Sequence, residues 1–177
     1  MNIRLLITKL LAGLALAGVA TCSDANPADF TVHSVTTTNV FKLSEAKGKF
    51  VALHFLLRTE CPYCIRHTQD YVQKATADTN VVHVFLKPDT DVEIKAWAGK
   101  LNSGSPGISI YRDTDAVLAK SFNIPDGYKF HGQTVHYPAL VLLDRDGKEV
   151  FRYVGKTNAD RLSYEKFAAK LATLAQP

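Results

Sequence analysis

The chain has 177 residues, 46% hydrophobic and 21% charged, with 10 Gly. That composition excludes a disordered or collagen-like chain. The net charge of +4 (21 basic, 17 acidic residues) is scattered without a basic run, which argues against a nucleic-acid partner. A domain of this size buries about 70% of its unfolded surface, so its core does not depend on disulfides. The three cysteines therefore do not read as a staple framework.

The N-terminus reads as an address. Arg4 and Lys9 precede an apolar stretch from Leu10 to Ala20, too short to span a bilayer as a stable helix. Residues 1–21 thus resemble a bacterial export signal, residues 22–29 a short linker, and residues 30–177 one domain. Val19-Ala20-Thr21-Cys22 is similar to a lipoprotein box, in which Cys22 would be lipidated and anchor the protein to a membrane. Thr21 departs from that pattern, and ordinary cleavage after Ala20 or Ala25 is the alternative. On either route the expected location is the periplasm or cell envelope, where disulfides persist. Loss of Arg4 and Lys9 would lower the charge to about +2.

Strands and helices then alternate. Residues 31–35 form a short strand candidate. Phe50 to Leu57 is almost continuously apolar, as a strand covered on both faces should be. Pro62 suits the first turn of a helix, predicted to run to about Ala77 with Ile65, Thr68, Val72 and Ala75 inward. A second buried strand covers 81–86 and stops at Lys87-Pro88. A helix over 91–101 places Ile94, Trp97, Ala98 and Leu101 on one face. After a loop at 102–107 come a strand at 108–111 and a helix at 116–122. Residues 123–137 read as a polar loop spotted with aromatics. A strand at 139–143, a turn at 144–147 and a strand at 150–154 make a hairpin. The last helix takes Ser163 as N-cap, with Leu162 and Phe167 as a hydrophobic staple. Its inward face is Phe167, Leu171, Leu174 and Ala175. The expected fold class is one α/β domain with a mixed sheet and helices on both faces.

Chemistry concentrates at Cys61-Pro62-Tyr63-Cys64. A C-x-x-C opening a helix after a buried strand puts the first sulfur where free N–H groups and the helix dipole favour a thiolate. The second sulfur lies one turn in, so one cysteine can attack and the other resolve. Arg58, Arg66 and His67 add positive charge and Glu60 opposes it. Other readings of the pair are a zinc half-site, an inert structural disulfide and an inconsequential buried pair.

These features resemble the thioredoxin superfamily, in particular its exported TlpA-like and redoxin (AhpC/TSA-like) branch, over about residues 30–174. Beyond C-P-Y-C, the resemblance rests on Tyr111-Arg112-Asp113, on Leu118 to Ile124, on Tyr137 to Lys148 and on Phe151 to Gly155. It implies a cis Pro138 facing the cysteines, and a Tyr137 whose backbone offers hydrogen bonds to an incoming chain. Pro62, Tyr63, Tyr137 and Pro138 then form the substrate contact. It also implies an extra βα unit, residues 108–122, before Pro138. Departures are Glu60 in place of the usual Trp, and no match to thioredoxin's buried carboxylate. His54 is the nearest polar group on its strand, either a proton relay or a hydrogen-bonded core histidine.

The resulting expectation is an exported thiol–disulfide oxidoreductase. Cys61 and Cys64 exchange with protein disulfides or dithiols and with an upstream redox partner. Arg58, His67 and His54 modulate them. No cofactor is expected beyond the dithiol itself, and the state expected is a monomer. A peroxiredoxin-like thiol peroxidase is the first alternative. Peroxiredoxins place Thr or Ser three residues before the reactive Cys, where this chain has Arg58. A Sco-like copper chaperone is the second, with Cys61, Cys64 and His136 (or His131 on the same loop) as ligands. The loop at 123–137 is expected to shape the substrate groove or to be pinned to the core by Tyr128 and Phe130.

Overall fold

The computed structural model describes residues 27–58, 60–75, 79–101, 107–130 and 132–174. The predicted export signal, Cys22, most of the linker, Thr59, Ala77, His131 and Ala175 lie outside them. Among the described residues, no helix is long and apolar enough to cross a membrane.

The chain opens with β1 (Thr31–His33) and β2 (Val40–Lys42), an antiparallel ribbon, and a 3-10 turn at Leu43–Ala46. Then follow β3 (Phe50–Phe55), α1 (Pro62–Lys74), β4 (Val81–Lys87), α2 (Asp91–Ala98), β5 (Ile110–Arg112) and α3 (Val117–Ser121). The chain finishes with β6 (Asp126–Phe130), β7 (Gln133–His136), β8 (Ala139–Leu143), β9 (Glu149–Val154) and α4 (Tyr164–Leu174). The central sheet has the order β5-β4-β3-β8-β9. Strands β3, β4 and β5 run parallel, while β8 and β9 are antiparallel to their neighbours. It is the expected mixed sheet, and β5 with α3 is the expected extra βα unit.

The two-residue period of the strands divides the core. Phe50, Ala52 and Leu56 of the β3 segment, with Val81, Phe85, Leu140 and Leu142, join one apolar cluster with Tyr71, Ile94, Trp97, Phe167 and Leu171 from α1, α2 and α4. Val51, Leu53 and Phe55 join the other with Val84, Leu86, Val141 and Leu143, covered by Ala119 and Phe122 and by Val32, Phe41 and Leu43. Helices therefore do cover both faces, and the β1–β2 ribbon shares the second with α3. On α1, Thr68 faces inward as expected, but the centre of the buried stripe is turned toward Cys64 and Tyr71. Its buried residues are Cys64, Thr68 and Tyr71, while Ile65 and Val72 sit at the margin.

Two expectations are corrected. The segment read as a loop at 123–137 is mostly an antiparallel hairpin, β6–β7, with a bulge after Asp126. Gly127 permits it, because a Cβ there would stand 2.9 Å from the Val135 carbonyl oxygen. Val135 is buried, and Tyr128 and Phe130 pack on the first cluster, so the hairpin is pinned to the core. Second, the described residues contain no cis peptide, so Pro138 is trans. Trans is the lower state of an X–Pro bond by about 0.5–1 kcal/mol. The backbone around it is satisfied in that form: Tyr137 N–H donates to Pro125 O at 3.0 Å, and Pro138 O accepts from Gly155 N–H at 2.8 Å.

Candidate active site

The loop from β3 to α1 ends at Cys61, which is the N-cap of α1, with Pro62 in the first turn. Cys61 and Cys64 are joined in a disulfide with Cα atoms 5.2 Å apart. Cys64 is fully buried, whereas Cys61 keeps 6% exposure. The order of exposure is the expected one for an attacking and a resolving cysteine. Backbone N–H groups address both sulfurs: Cys64 N–H donates to Cys61 Sγ at 3.1 Å, and Leu57 N–H to Cys64 Sγ at 3.4 Å.

A residue the sequence did not flag completes the site. Arg161, between β9 and α4, places Nη2 3.3 Å from Cys61 Sγ and 3.0 Å from Cys64 Sγ. Burial pulls its guanidinium down to about 10, against the opposing pull of Tyr128 and Asp160, so it stays charged at neutral pH. Its Nη1 donates to the Asp160 carbonyl oxygen at 3.2 Å. Tyr71 Oη donates to the Leu162 carbonyl at 3.1 Å and fixes this segment to α1. On reduction, helix N–H groups and a guanidinium therefore meet whichever sulfur carries negative charge.

Beneath the loop lies a second feature absent from the reading of the sequence. Lys87, at the end of β4, and Asp89 are both fully buried and ion-paired at 2.5 Å. Lys87 Nζ also donates to Leu57 O at 2.9 Å and lies 5.1 Å from the centre of the Trp97 ring. Desolvation lowers the lysine below its ordinary range, and Asp89 opposes that. The Leu57 peptide is thus clamped from both ends, its carbonyl on Lys87 and its N–H on Cys64. The only sequence signal was a lysine closing an apolar strand.

His54 is a core histidine within a chain of three. Its Nδ1 is 2.9 Å from His67 Nε2 and its Nε2 3.0 Å from His83 Nδ1. Each contact needs one N–H and one lone pair, which neutral imidazoles supply. Strand alternation explains the grouping: His54 and His83 occupy the face of β3 and β4 that meets α1. Desolvation holds His54 well below the usual histidine range. It pushes His67 down to about 3, with Arg161 and His83 adding to the effect.

The other predicted site residues are dispersed. Tyr63 is exposed on α1, 5.6 Å from the Arg66 guanidinium across its ring. Arg58 lines a different pocket, with Lys120 and His136. Glu60 pairs with Lys100 at 2.9 Å. Both backbone groups of Tyr137 are engaged within the chain, its N–H on Pro125 and its carbonyl on His136 Nδ1 at 2.7 Å. His136 does not join Cys61 and Cys64 as a copper ligand set. Among the described residues, no three His, Cys, Asp or Glu side chains stand where they could hold a metal ion.

Fold and site together define a thioredoxin-like α/β domain with a C-x-x-C disulfide at a helix N-terminus. The Redoxin family matches residues 23–169, and the chain belongs to that family. No curated protein matches it. Among solved structures it is similar to a peroxiredoxin-like protein from Aquifex aeolicus (TM-score 0.67, 12% identity, covering 82% of this chain and 83% of that one). It is also similar to a secreted Mycobacterium tuberculosis disulfide oxidoreductase homologous to E. coli DsbE (TM-score 0.59, 21% identity, covering 81% and 95%). A third is the exposed lipoprotein thioredoxin Etrx1 of Streptococcus pneumoniae (TM-score 0.60, 19% identity, covering 82% and 99%).

Proposed function

We propose that the protein is an exported thiol–disulfide oxidoreductase acting on protein thiols. The observation that carries the reading is the Cys61–Cys64 disulfide capping α1 with Arg161 against both sulfurs. A substrate thiolate attacks Cys61 Sγ and breaks the disulfide. Cys64 leaves as a thiolate, received by Leu57 N–H and Arg161. A second substrate thiol loses its proton to solvent and attacks the substrate sulfur of the mixed disulfide, expelling the Cys61 thiolate. The substrate is oxidised by two electrons and the protein reduced; the reverse sequence reduces a substrate disulfide. Export is supported by the N-terminal pattern of residues 1–21.

A thiol peroxidase is the second reading, favoured by the likeness to peroxiredoxin-like structures and by the cation on Cys61. Against it, the position three residues before Cys61 is Arg58, which offers no hydroxyl. One pair of variants separates the two. Under exchange, Cys64→Ser accumulates mixed disulfides with a protein substrate and Cys61→Ser is inactive. Full turnover of a protein disulfide by Cys64→Ser would overturn the two-cysteine mechanism. Fast second-order consumption of hydrogen peroxide by the reduced wild type would select the peroxidase.

A further inference from the structure

Beside the disulfide lies an open cavity of about 320 Å³ that the exchange chemistry leaves unused. One wall is the α1 stripe Tyr63, Arg66, His67 and Asp70, at i, i+3, i+4 and i+7. The other is the segment Ala159 to Ser163, with Arg161 between the cavity and the sulfurs.

The charge of this cavity is unbalanced. Asp70 is matched by Lys74 at 2.5 Å. The Asp160 carboxylate is turned to Tyr153 Oη and to the N–H of Lys156. Among the described residues the Arg66 guanidinium meets no carboxylate, only the face of the Tyr63 ring. Arg161 has committed Nη2 to the sulfurs and Nη1 to Asp160 O, yet its Nε is buried without a hydrogen-bond partner among those residues. His67 adds no charge at neutral pH, because its desolvated imidazole stays unprotonated. The free Arg66 guanidinium and the charge of Arg161 thus flank a cavity whose one acidic side chain is already paired.

We propose that this cavity is a carboxylate-recognition subsite, selecting disulfides or thiols that carry a carboxylate close to the reacting sulfur. The carboxylate lies between Arg66 and Arg161 while the sulfur meets Cys61. The proposal rests on the thiol–disulfide reading above. The same chemistry comes from a small carboxylate-bearing disulfide or from an acidic side chain beside a polypeptide cysteine.

The test measures the second-order rate constant for oxidation of the reduced protein by three small disulfides of similar shape: dithiodipropionate (anionic), hydroxyethyl disulfide (neutral) and cystamine (cationic). Two cystine-linked peptides, one with Glu and one with Lys beside the cysteine, form the second arm. The wild type is expected to prefer dithiodipropionate to cystamine by roughly ten-fold or more, as one charge-assisted contact provides. That preference should shrink with added salt, collapse in Arg66→Gln and be largely kept in Arg66→Lys. A preference in the small disulfides alone assigns a small-molecule substrate, and one in the peptides as well assigns an acidic polypeptide. Equal rates across the small series with normal turnover of the neutral disulfide would overturn the subsite and leave the exchange reading standing. A preference that survives Arg66→Gln would also overturn it. No reaction with any of the disulfides would overturn both.

Discussion

Arg161 Nη2 stands 3.0 Å from Cys64 Sγ, although 97 positions of sequence separate the two residues. The same nitrogen reaches Cys61 Sγ at 3.3 Å, so one guanidinium serves both sulfurs. Its interaction strengthens when the disulfide is reduced and a thiolate appears, so it stabilises the reduced form selectively. Arg161→Gln should raise the Cys61 thiol pKa by about one unit and make the reduction potential more negative by about 30 mV. Arg161→Lys should recover only part, since an ammonium lacks the planar fork that spans two acceptors. A redox titration with glutathione, with thiolate absorbance followed against pH, reads both. An unchanged potential in Arg161→Gln would remove Arg161 from the site.

The three-histidine chain predicts how stability responds to acid. His54 and His67 are held below their ordinary range mainly by desolvation, and His136 likewise. An unfolded chain binds protons at these positions near pH 6.5, whereas folded His67 waits until about 3. Their contribution is therefore complete above about pH 6.5 and is lost as pH falls below it, by up to about 1.4 kcal/mol per unit per histidine. Asp113, raised by burial, works in the opposite sense at lower pH. Urea midpoints between pH 7.5 and about 5.5 should fall steadily, and His67→Gln should flatten the slope. A midpoint independent of pH across that window would contradict the buried, neutral assignment.

The Lys87–Asp89 pair has no solvent to fall back on, since both side chains are fully buried. Asp89→Asn removes the carboxylate that balances a buried ammonium and should cost about 3–5 kcal/mol. Because Lys87 also holds Leu57 O, exchange should slow along with the loss of stability. Chemical denaturation beside exchange kinetics checks both. A loss under about 1 kcal/mol would mean that the pair is hydrated in solution.

Local chemistry was readable in the sequence, and long-range convergence was not. The 50–57 run, Pro62 after Cys61 and the turn at 144–147 each carry their structure in adjacent residues, and strand, helix cap and hairpin stand where expected. The β6–β7 hairpin was hidden because Asp126-Gly127 and Gly132 read as turn residues, and the alternation of Tyr128, Lys129 and Phe130 spans only three positions. Cis Pro138 came with a family resemblance rather than from any residue near it. Arg161 sits in a polar run, Lys156 to Arg161, with no local feature to set it apart from a solvated charge. His54 and His83 were visible as polar interruptions of apolar strands. Their meeting depends on the parallel register that places Ala52 beside His83 and His54 beside Phe85.

Gly155 joins the two halves of the site, and a single methyl group tests that. It follows β9, and its N–H donates to Pro138 O at 2.8 Å. A Cβ there would stand 2.9 Å from Pro138 Cγ and would collide with the Asp160 carbonyl oxygen. That carbonyl accepts from Arg161 Nη1, so the displaced group is one that orients the guanidinium over the sulfurs. The need is for room and not for an unusual backbone angle, so any side chain at this position meets the same obstacle. Gly155→Ala should destabilise the fold by about 1–3 kcal/mol, the usual cost of overpacking. It should also shift the Cys61 thiol pKa in the same direction as Arg161→Gln. Gly147→Ala, which meets nothing within 4 Å but sits at a φ of +83°, is the control. It should lose stability through backbone strain while the Cys61 titration stays where it was. Should Gly155→Ala leave the thiol pKa unchanged while lowering stability, the glycine would be a packing position and Arg161 would be held by Tyr71 and the Leu162 carbonyl alone.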